Sequence, residues 1–213
     1  MWRLYHPHIR GPGRMCIIRI VETLLICGLA LLLSNVVHHW LVIPYDLLPS
    51  LAFPIDAGRR FRDRPLFGTQ KTARGLIVIS ALTALFTYTG ASLSGAVLQT
   101  HPVLLGFLLG VFYMLGELPN SFLKRQAGVP ESRSVPGLRG LFFSVFDHAD
   151  SMLFASIALY LLEEPSFRSV TVFFSSGVML HIFVNMLLRA RGYKRPATAQ
   201  TDTLRSDPQQ GVR

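Results

Sequence analysis

Two aspartates stand three residues apart within an apolar stretch of the sequence, and Glu117 ends an earlier one. Asp147 and Asp150 share one face if their stretch is helical, because residues three apart on a helix are neighbours. An ionised carboxylate at membrane depth costs at least about 2.5–3.5 kcal/mol, so such a residue needs a partner or a function. Paired carboxylates suit Mg²⁺, a hard cation that completes its coordination with water and substrate phosphates. The alternative is that both aspartates form structural ion pairs with Arg or Lys from neighbouring helices.

Basic residues and glycines are mixed in the connection that precedes the second apolar stretch. Gly58, Gly68 and Gly75 lie among arginines, and Lys71 and Arg74 come just before that stretch. Exposed backbone N–H groups, a helix N-terminus and basic side chains together can hold a polyphosphate. The spacing is not that of a P-loop, and no strand is predicted before it. A topogenic or lipid-headgroup role, which needs only positive charge, is the alternative.

A second polar cluster follows Glu117 and is expected on the same side of the membrane. Asn120, Ser121, Lys124 and Arg125 offer an amide, a hydroxyl and two cations. Carboxylates for a metal and cations for phosphates, converging at the bilayer surface, indicate phosphoryl or nucleotidyl transfer to a lipid head group. In such chemistry the protein mainly positions the reactants and neutralises charge.

Five apolar stretches are long enough to position these residues, because a membrane-spanning helix needs about 20 residues. They cover residues 16–40, 75–98, 102–118, 140–162 and 170–188. The sequence therefore predicts an all-α integral membrane bundle of five transmembrane helices, with cytoplasmic loops 41–74 and 119–139 forming the site. The predicted divisions are an extracytoplasmic segment 1–15, a membrane domain 16–192 and a polar, disordered cytoplasmic tail 193–213. Gly106 and Gly110 form a small-xxx-small pair that can pack within or between chains, which leaves a homo-oligomer open.

Composition and charge agree with a membrane protein. Of the 213 residues, 50% are hydrophobic and 15% are charged, against about 25% charged in a typical soluble domain. This apolar content excludes a disordered polyelectrolyte, and two cysteines exclude a disulfide-stapled module. Of the 21 Lys and Arg, sixteen lie in the two basic connections and the C-terminal segment. The positive-inside rule then places the N-terminus outside and the C-terminus in the cytoplasm. We expect a protein of the cell (inner) membrane, with no nucleic-acid partner.

The order of these motifs resembles a known family. The chain resembles the CDP-archaeol synthases, which belong to the phosphatidate cytidylyltransferase-like membrane enzymes. The resemblance is carried, in this order, by residues 56–62 and 67–75, Gly116-Glu117, residues 121–125 and Asp147-His-Ala-Asp150. The resemblance implies five transmembrane helices. It also implies Mg²⁺-dependent transfer of CMP from CTP to a membrane lipid phosphate, giving pyrophosphate and a CDP-lipid such as CDP-archaeol or CDP-diacylglycerol.

The resemblance also implies roles for individual residues. Asp147 and Asp150 would bind Mg²⁺, with Glu117 as a further ligand. The implied catalytic residues are Asp147, Asp150, Lys71 and Lys124, and the implied nucleotide-binding residues are Arg59, Arg62, Arg74, Ser121 and Arg125. Glu117 stands where the family usually has Asp, His148 where it has Gln, and Ala73 where an aromatic residue is common. These departures motivate the alternative of a catalytically silent protein that binds anionic lipid or assists a membrane partner.

Overall fold

Long α-helices account for most of the residues that the structure, a computed structural model, describes, namely 12–129 and 137–190. The helices are α1 (Pro12–Val37), α2 (Ala73–Ser94), α3 (Pro102–Gln126), α4 (Gly137–Glu163) and α5 (Phe167–Ala190). They fall on the apolar stretches of the sequence, so the predicted helical architecture is confirmed. The predicted tail 193–213 and most of the predicted N-terminal segment 1–15 lie outside the described residues.

Within the described ranges, three helical segments are long and apolar enough to cross a membrane. They are Ile18–Val42, Ala73–Ser94 and Pro102–Gln126, and the apolar part of α5, Phe167–Phe183, is shorter. On α1, Leu25, Leu29 and Leu33 follow one another every fourth residue and are each about half exposed. Such an apolar stripe on an outer helix face suits contact with lipid. Length and composition therefore indicate a membrane protein.

Glycines bring α3 close to α2. A Cβ on Gly106 would lie 2.5 Å from the carbonyl oxygen of Thr83, and a Cβ on Gly110 would lie 2.5 Å from the Cα of Ser80. No larger residue fits against backbone at that distance. The small-xxx-small pair therefore packs within the chain, against α2. The core that these helices enclose includes Ile79, Leu105, Leu109 and Leu159, all fully buried.

α3 is longer than expected, which changes where three predicted site residues lie. The prediction of a loop from residue 119 was wrong at its start, because the helix continues through Pro119 to Gln126. Proline removes one helix hydrogen bond, and packing against neighbouring helices can hold such a helix together in a membrane protein. Asn120, the next residue, is buried and donates hydrogen bonds to α4. The last turns of the helix, and not a loop, thus carry Ser121, Lys124 and Arg125.

The connection between α1 and α2 has two different halves. The first half, to Phe53, is apolar and contains a π-helical turn (His38–Val42) and a 3₁₀ turn (Pro49–Leu51). The second half carries the basic residues and begins where Pro54 pairs with Thr72, just before α2. The predicted loop 41–74 is therefore basic only in its second half.

A short hairpin in the basic half departs from the predicted all-α fold. Its strands are β1 (Arg60–Phe61) and β2 (Arg64–Pro65), which pair antiparallel. Arg62 and Asp63 between them have φ of 49° and 61°, since a two-residue turn of this kind needs positive φ at both positions. The hairpin rests on the end of α3, because the side chain of Gln126 donates to the carbonyl oxygen of Pro65 over 3.3 Å.

Candidate functional site

Asn120 of α3 lies between the two aspartates of α4. Its Nδ2 donates to Oδ1 of Asp147 over 2.7 Å and to Oδ2 of Asp150 over 3.1 Å. Lys124, one turn further along α3, forms an ion pair with Asp147. The spacing of these residues along their helices puts each pair on a single helix face. The structure thus brings together the two aspartates predicted as metal ligands and one of the predicted catalytic lysines.

A second ion pair lies beside this cluster. Lys71, from the end of the α1–α2 connection, pairs with Glu117 of α3. Oγ of Ser151 lies 3.3 Å from Oε1 of Glu117 and 3.2 Å from Oδ1 of Asp150. The backbone N–H of Ser151 also donates to Oδ1 of Asp150 over 2.6 Å. Ser151 therefore connects the Lys71–Glu117 pair to the aspartate cluster.

Gly116 permits this convergence of α3 and α4. A Cβ at this position would lie 2.7 Å from the carbonyl oxygen of Asp150 and 3.0 Å from the Cα of Ser151. Because both are backbone atoms, a larger residue would force the two helices apart. The contact sets Glu117 and Asn120, which follow on α3, against the turn of α4 that carries Asp150.

The donor set of the cluster fits a hard cation. Asp147 and Asp150 supply carboxylate oxygens, and Oδ1 of Asn120 is buried and accepts no hydrogen bond within the described part of the chain. Mg²⁺ prefers oxygen ligands of this kind. Among the side chains that the structure describes, no three of His, Cys, Asp or Glu form a metal-binding group, and Glu117 is linked to Asp150 through Ser151. The structure therefore groups two of the three predicted metal ligands and links the third through Ser151.

Asp56 organises the loop that carries Lys71. Its buried carboxylate accepts the backbone N–H of Gly58 and that of Phe67, each over 2.9 Å. The backbone N–H of Ile55 donates to the carbonyl oxygen of Lys71 over 2.8 Å. These bonds fold the basic half of the connection back on itself and hold Lys71 at the start of α2.

Two of the three glycines, Gly58 and Gly75, do not offer the free backbone N–H groups of the predicted cradle. The N–H of Gly58 is taken by Asp56, and that of Gly75 donates to Oγ1 of Thr72 over 3.2 Å. Thr72 is the N-cap of α2, a position where a hydroxyl commonly satisfies a first-turn N–H. The prediction was wrong at these two glycines because side chains of the chain itself already occupy their donors.

Arg74 contacts the apolar half of the connection and not the aspartates of α4. Its Nη1 donates to Oδ1 of Asp46 over 2.6 Å and to the carbonyl oxygen of Leu47 over 3.2 Å. The Arg74 side chain is 12% exposed, whereas that of Asp46 is 70% exposed. In this conformation Arg74 holds the connection in place.

The other predicted nucleotide-binding residues surround the hairpin and the end of α3. Arg59 precedes the hairpin, and Arg62 lies at its turn with the guanidinium carbon 5.3 Å from the ring centroid of Phe61. Both arginines are exposed. Ser121 is buried on α3, and Nε of Arg125 is buried without a hydrogen-bond partner in the described residues. The structure places these residues near the basic half of the connection, and among the described residues none of them has a hydrogen bond to Asp147 or Asp150.

Three residues that shape the site were given no individual role by the sequence. They are Asn120, which was named only as part of the polar cluster after Glu117, and Ser151 and Asp56. Asn120 had a usable signal, because it precedes Lys124 by one helical turn and so shares its face. The other two gave no such signal. Serine is a common residue next to an aspartate, and Asp56 is not distinguished by its type from other acidic residues in loops.

Comparison with known proteins gives matches to one group of enzymes. A sequence model described as the cytidylyltransferase family matches residues 57–164. The chain is 38% identical over 111 residues to a CDP-archaeol synthase of Saccharolobus islandicus. The aligned residues cover 52% of this chain and 60% of the relative. It is 38% identical over 96 residues to a CDP-archaeol synthase of Thermococcus kodakarensis, covering 43% of this chain and 56% of the relative.

A bacterial relative matches as well. The chain is 37% identical over 95 residues to a phosphatidate cytidylyltransferase of Helicobacter pylori, covering 43% of this chain and 34% of that protein. The chain thus spans 60% or less of the length of these relatives. No solved structure gives a significant match. The matched range 57–164 includes the hairpin, Lys71, α3 and both aspartates of α4.

Proposed function

We propose that this chain, which belongs to the cytidylyltransferase family, transfers CMP from CTP to the phosphate of a membrane lipid. An oxygen of the lipid phosphate would attack the α-phosphorus of CTP, and the bond from that phosphorus to the bridging oxygen of the β-phosphate would break. The products are a CDP-lipid and pyrophosphate. The observation that carries the proposal is the cluster of Asp147, Asp150, Asn120 and Lys124, with the Lys71–Glu117 pair beside it.

The lysines provide charge for the triphosphate. Lys71 and Lys124 each pair with a carboxylate of the protein, Glu117 and Asp147 respectively. A bound triphosphate would compete for them, and the lysines would then stabilise the negative charge that builds up on the leaving pyrophosphate. The attacking lipid phosphate is already anionic, so the reaction needs no strong general base.

Mg²⁺ is the metal that the donor set fits. Asp147 and Asp150 would hold it. Oδ1 of Asn120, which accepts no hydrogen bond from the described residues, belongs to the amide that contacts both aspartates, and Glu117 is linked to them through Ser151. When bound, Mg²⁺ lowers the repulsion between anionic phosphates. Lys124 and the amide of Asn120 both contact Oδ1 of Asp147, and the Lys124 ammonium supplies positive charge at this position.

The nucleotide would also be held by residues around the cluster. We assign Arg59, Arg62, Arg125 and Ser121 to this role. Arg59 lies just before the hairpin and Arg62 at its turn, and the other two lie on the end of α3, on the same side of the bundle as Lys124. Arg74 would join them after leaving Asp46. A loop bearing exposed arginines can move over a bound polyphosphate, which supplies charge from a second direction.

The proposed topology has five membrane spans, with α4 and α5 as the fourth and fifth. The site would face the cytoplasm of the cell (inner) membrane, with the N-terminus outside. Two features support this. The start of α2, the end of α3 and the first half of α4 all carry site residues and so share one side of the bundle. The sixteen basic residues that favour the cytoplasm include those just before and at the start of α2 and those at the end of α3.

The activity test uses the purified chain in lipid vesicles. Labelled CTP and Mg²⁺ are supplied with a panel of lipid phosphates, both ether-linked and ester-linked, and the formation of a labelled CDP-lipid is measured. We expect product with at least one acceptor, and the panel identifies which. A folded protein that gives no product with any acceptor would contradict the proposal. If no product forms, CTP binding is measured with and without Mg²⁺. A defective transferase should still bind CTP in the presence of Mg²⁺, whereas a silent lipid-binding protein should bind no CTP.

Asp150→Asn tests the cluster directly. The substitution keeps the size of the side chain and removes its charge, so we expect turnover to fall by at least about a hundredfold while the protein still inserts. Asp63→Asn is the matched control. Asp63 lies at the exposed hairpin turn, and asparagine tolerates its positive φ, so activity should be unchanged. Retention of most activity by Asp150→Asn would remove Asp150 from the site.

A further inference from the structure

We propose that residues 40–53, the apolar half of the α1–α2 connection, form an interfacial segment that lies in the headgroup region of one membrane leaflet. The segment exposes large apolar side chains along its whole length, each at least 42% exposed. They are Trp40, Leu41, Ile43, Tyr45, Leu47, Leu48 and Phe53. A continuous apolar surface of this kind marks a contact site. The inference concerns membrane contact and does not depend on the transfer reaction.

Both ends of the segment are held at the membrane boundary. Its first residues end the candidate membrane span Ile18–Val42. At its other end, the carbonyl oxygen of Phe53 accepts the backbone N–H of Ala73 over 3.0 Å, and Ala73 begins the next candidate span. The two spans are joined by this connection, so both ends lie on one side of the bundle. A short segment fixed at both ends to that boundary must lie close to it.

The middle of the segment is fixed to the same boundary. Asp46 is the only charged residue between Trp40 and Phe53. It pairs over 2.6 Å with Arg74, in the first turn of α2, and Arg74 also donates to the carbonyl oxygen of Leu47. The ion pair reduces the cost of bringing Asp46 towards lipid, because a paired charge is less costly to desolvate than a single one. Asp46 and Leu48 have φ of 45° and 57°, which turns the chain back towards α2.

The composition of the segment fits lipid as its partner. The sequence has no Lys or Arg between Arg19 and Arg59, so the segment cannot bind an anionic surface through cations. It presents aliphatic side chains together with Trp40 and Tyr45, the two residue types that favour the boundary between bilayer and water. Its surface also continues directly from the exposed apolar stripe on α1, which ends at Leu33 and Val36. A lipid leaflet covers both surfaces at once.

The experiment measures where residue 48 lies relative to the bilayer. In a Trp2→Phe, Trp40→Phe background, Leu48→Trp introduces one reporter, and the protein is placed in vesicles of phosphatidylcholine and phosphatidylglycerol. Its fluorescence is quenched either by phosphatidylcholine brominated on the acyl chains or by aqueous iodide. Phe61→Trp in the hairpin is the matched control on the same side of the bundle. Trp2→Phe alone, which keeps Trp40 near the end of the candidate span Ile18–Val42, confirms insertion.

We expect the reporter at residue 48 to emit at shorter wavelength, to be quenched by brominated lipid and to be protected from iodide. The reporter at residue 61 should show the reverse. The proposal is overturned if the residue 48 reporter responds to iodide and not to brominated lipid while Trp40 responds to lipid. Protection of residue 48 from both quenchers would also overturn it, because a protein surface such as a second copy of the chain would then cover the segment.

Discussion

At the aspartate cluster, one amide holds two carboxylates. Asn120 is 4% exposed and donates to both Asp147 and Asp150, so its removal would leave them free to separate. We expect Asn120→Ala to lower CDP-lipid formation by about 10–100-fold, as the loss of a residue that orients metal ligands commonly does. A titration of initial rate against Mg²⁺ should show half-maximal activity at a higher Mg²⁺ concentration.

The control for this prediction is Asn35→Ala on α1. The Asn35 amide donates to a helix carbonyl one turn back, that of Leu31, over 2.9 Å and lies outside the cluster. This variant should keep the Mg²⁺ dependence of the unmodified protein. If Asn120→Ala does the same, Asn120 has no part in placing the carboxylates.

The Lys71–Glu117 pair allows a structural role and a nucleotide-binding role to be separated. Lys71→Glu and Glu117→Lys should each lower the unfolding temperature, because each places two like charges together. The double variant restores an ion pair and should recover the unfolding temperature. It should not recover turnover, which we expect to stay about a hundredfold low, because the cation has moved from the loop to α3. Recovery of turnover in the double variant would show that the pair is purely structural.

The sequence predicted the charged residues of the site better than their neutral partners. Asp147, Asp150 and Lys124 could be found because charge at the edge of an apolar stretch is costly and stands out. Asn120 and Ser151 are neutral, so placing them in a helix costs little free energy and they do not stand out in the sequence. Their role depends on how closely α3 approaches α4, and that distance is set by Gly116, a feature that no pattern of charge reveals.

At the scale of elements, the predicted helices are confirmed, and the largest difference at a helix end is that of α3, predicted at residue 118 and observed at Gln126. The third apolar stretch was expected to end at residue 118 and to be followed by a loop, but the helix continues through Pro119 to Gln126. The reason is that the cost of one lost hydrogen bond is offset by burial of the following turn against α4, which only the tertiary structure shows. The hairpin was missed for a related reason. Its two-residue strands are too short to give an alternating pattern, and non-glycine residues occupy its turn.

The close contact between α3 and α4 gives a prediction at this scale. Gly116→Ala would bring a Cβ to 2.7 Å from the carbonyl oxygen of Asp150, so the helices must separate. We expect a loss of about 1–3 kcal/mol in the free energy of unfolding, measured in detergent, because overpacking usually costs that much. CDP-lipid formation should fall as well, since the same shift moves Asn120 away from the aspartates.

Gly28→Ala on α1 is the matched control for the change at Gly116. Its Cβ would lie 3.7 Å from the nearest atom, a ring carbon of Phe173, which is an ordinary contact. Alanine also favours a helix over glycine, by up to about 1 kcal/mol. Stability and activity should therefore be maintained or slightly raised. Equal effects of the two substitutions would mean that the contact at Gly116 does not control the distance between α3 and α4.

At the scale of the whole molecule, the side of the membrane on which each connection lies decides whether the site has access to CTP. Single cysteines can be placed in a background that carries serine at Cys16 and Cys27. Asp63→Cys reports on the hairpin, Ala96→Cys on the α2–α3 connection and Ser166→Cys on the α4–α5 connection. All three positions lie outside the helices and strands. Labelling with a membrane-impermeant maleimide is compared between intact cells and inside-out vesicles.

Five spans with the site inside predict that residues 96 and 166 are labelled in intact cells and residue 63 only in inside-out vesicles. Residue 166 is the decisive position. If only α1, α2 and α3 cross the membrane, the chain stays inside after α3, and residue 166 is labelled from the same side as residue 63. That result would contradict the five-span topology while leaving the site intact. Labelling of residue 63 in intact cells would instead contradict the cytoplasmic orientation, and the site would then face away from the cell's CTP.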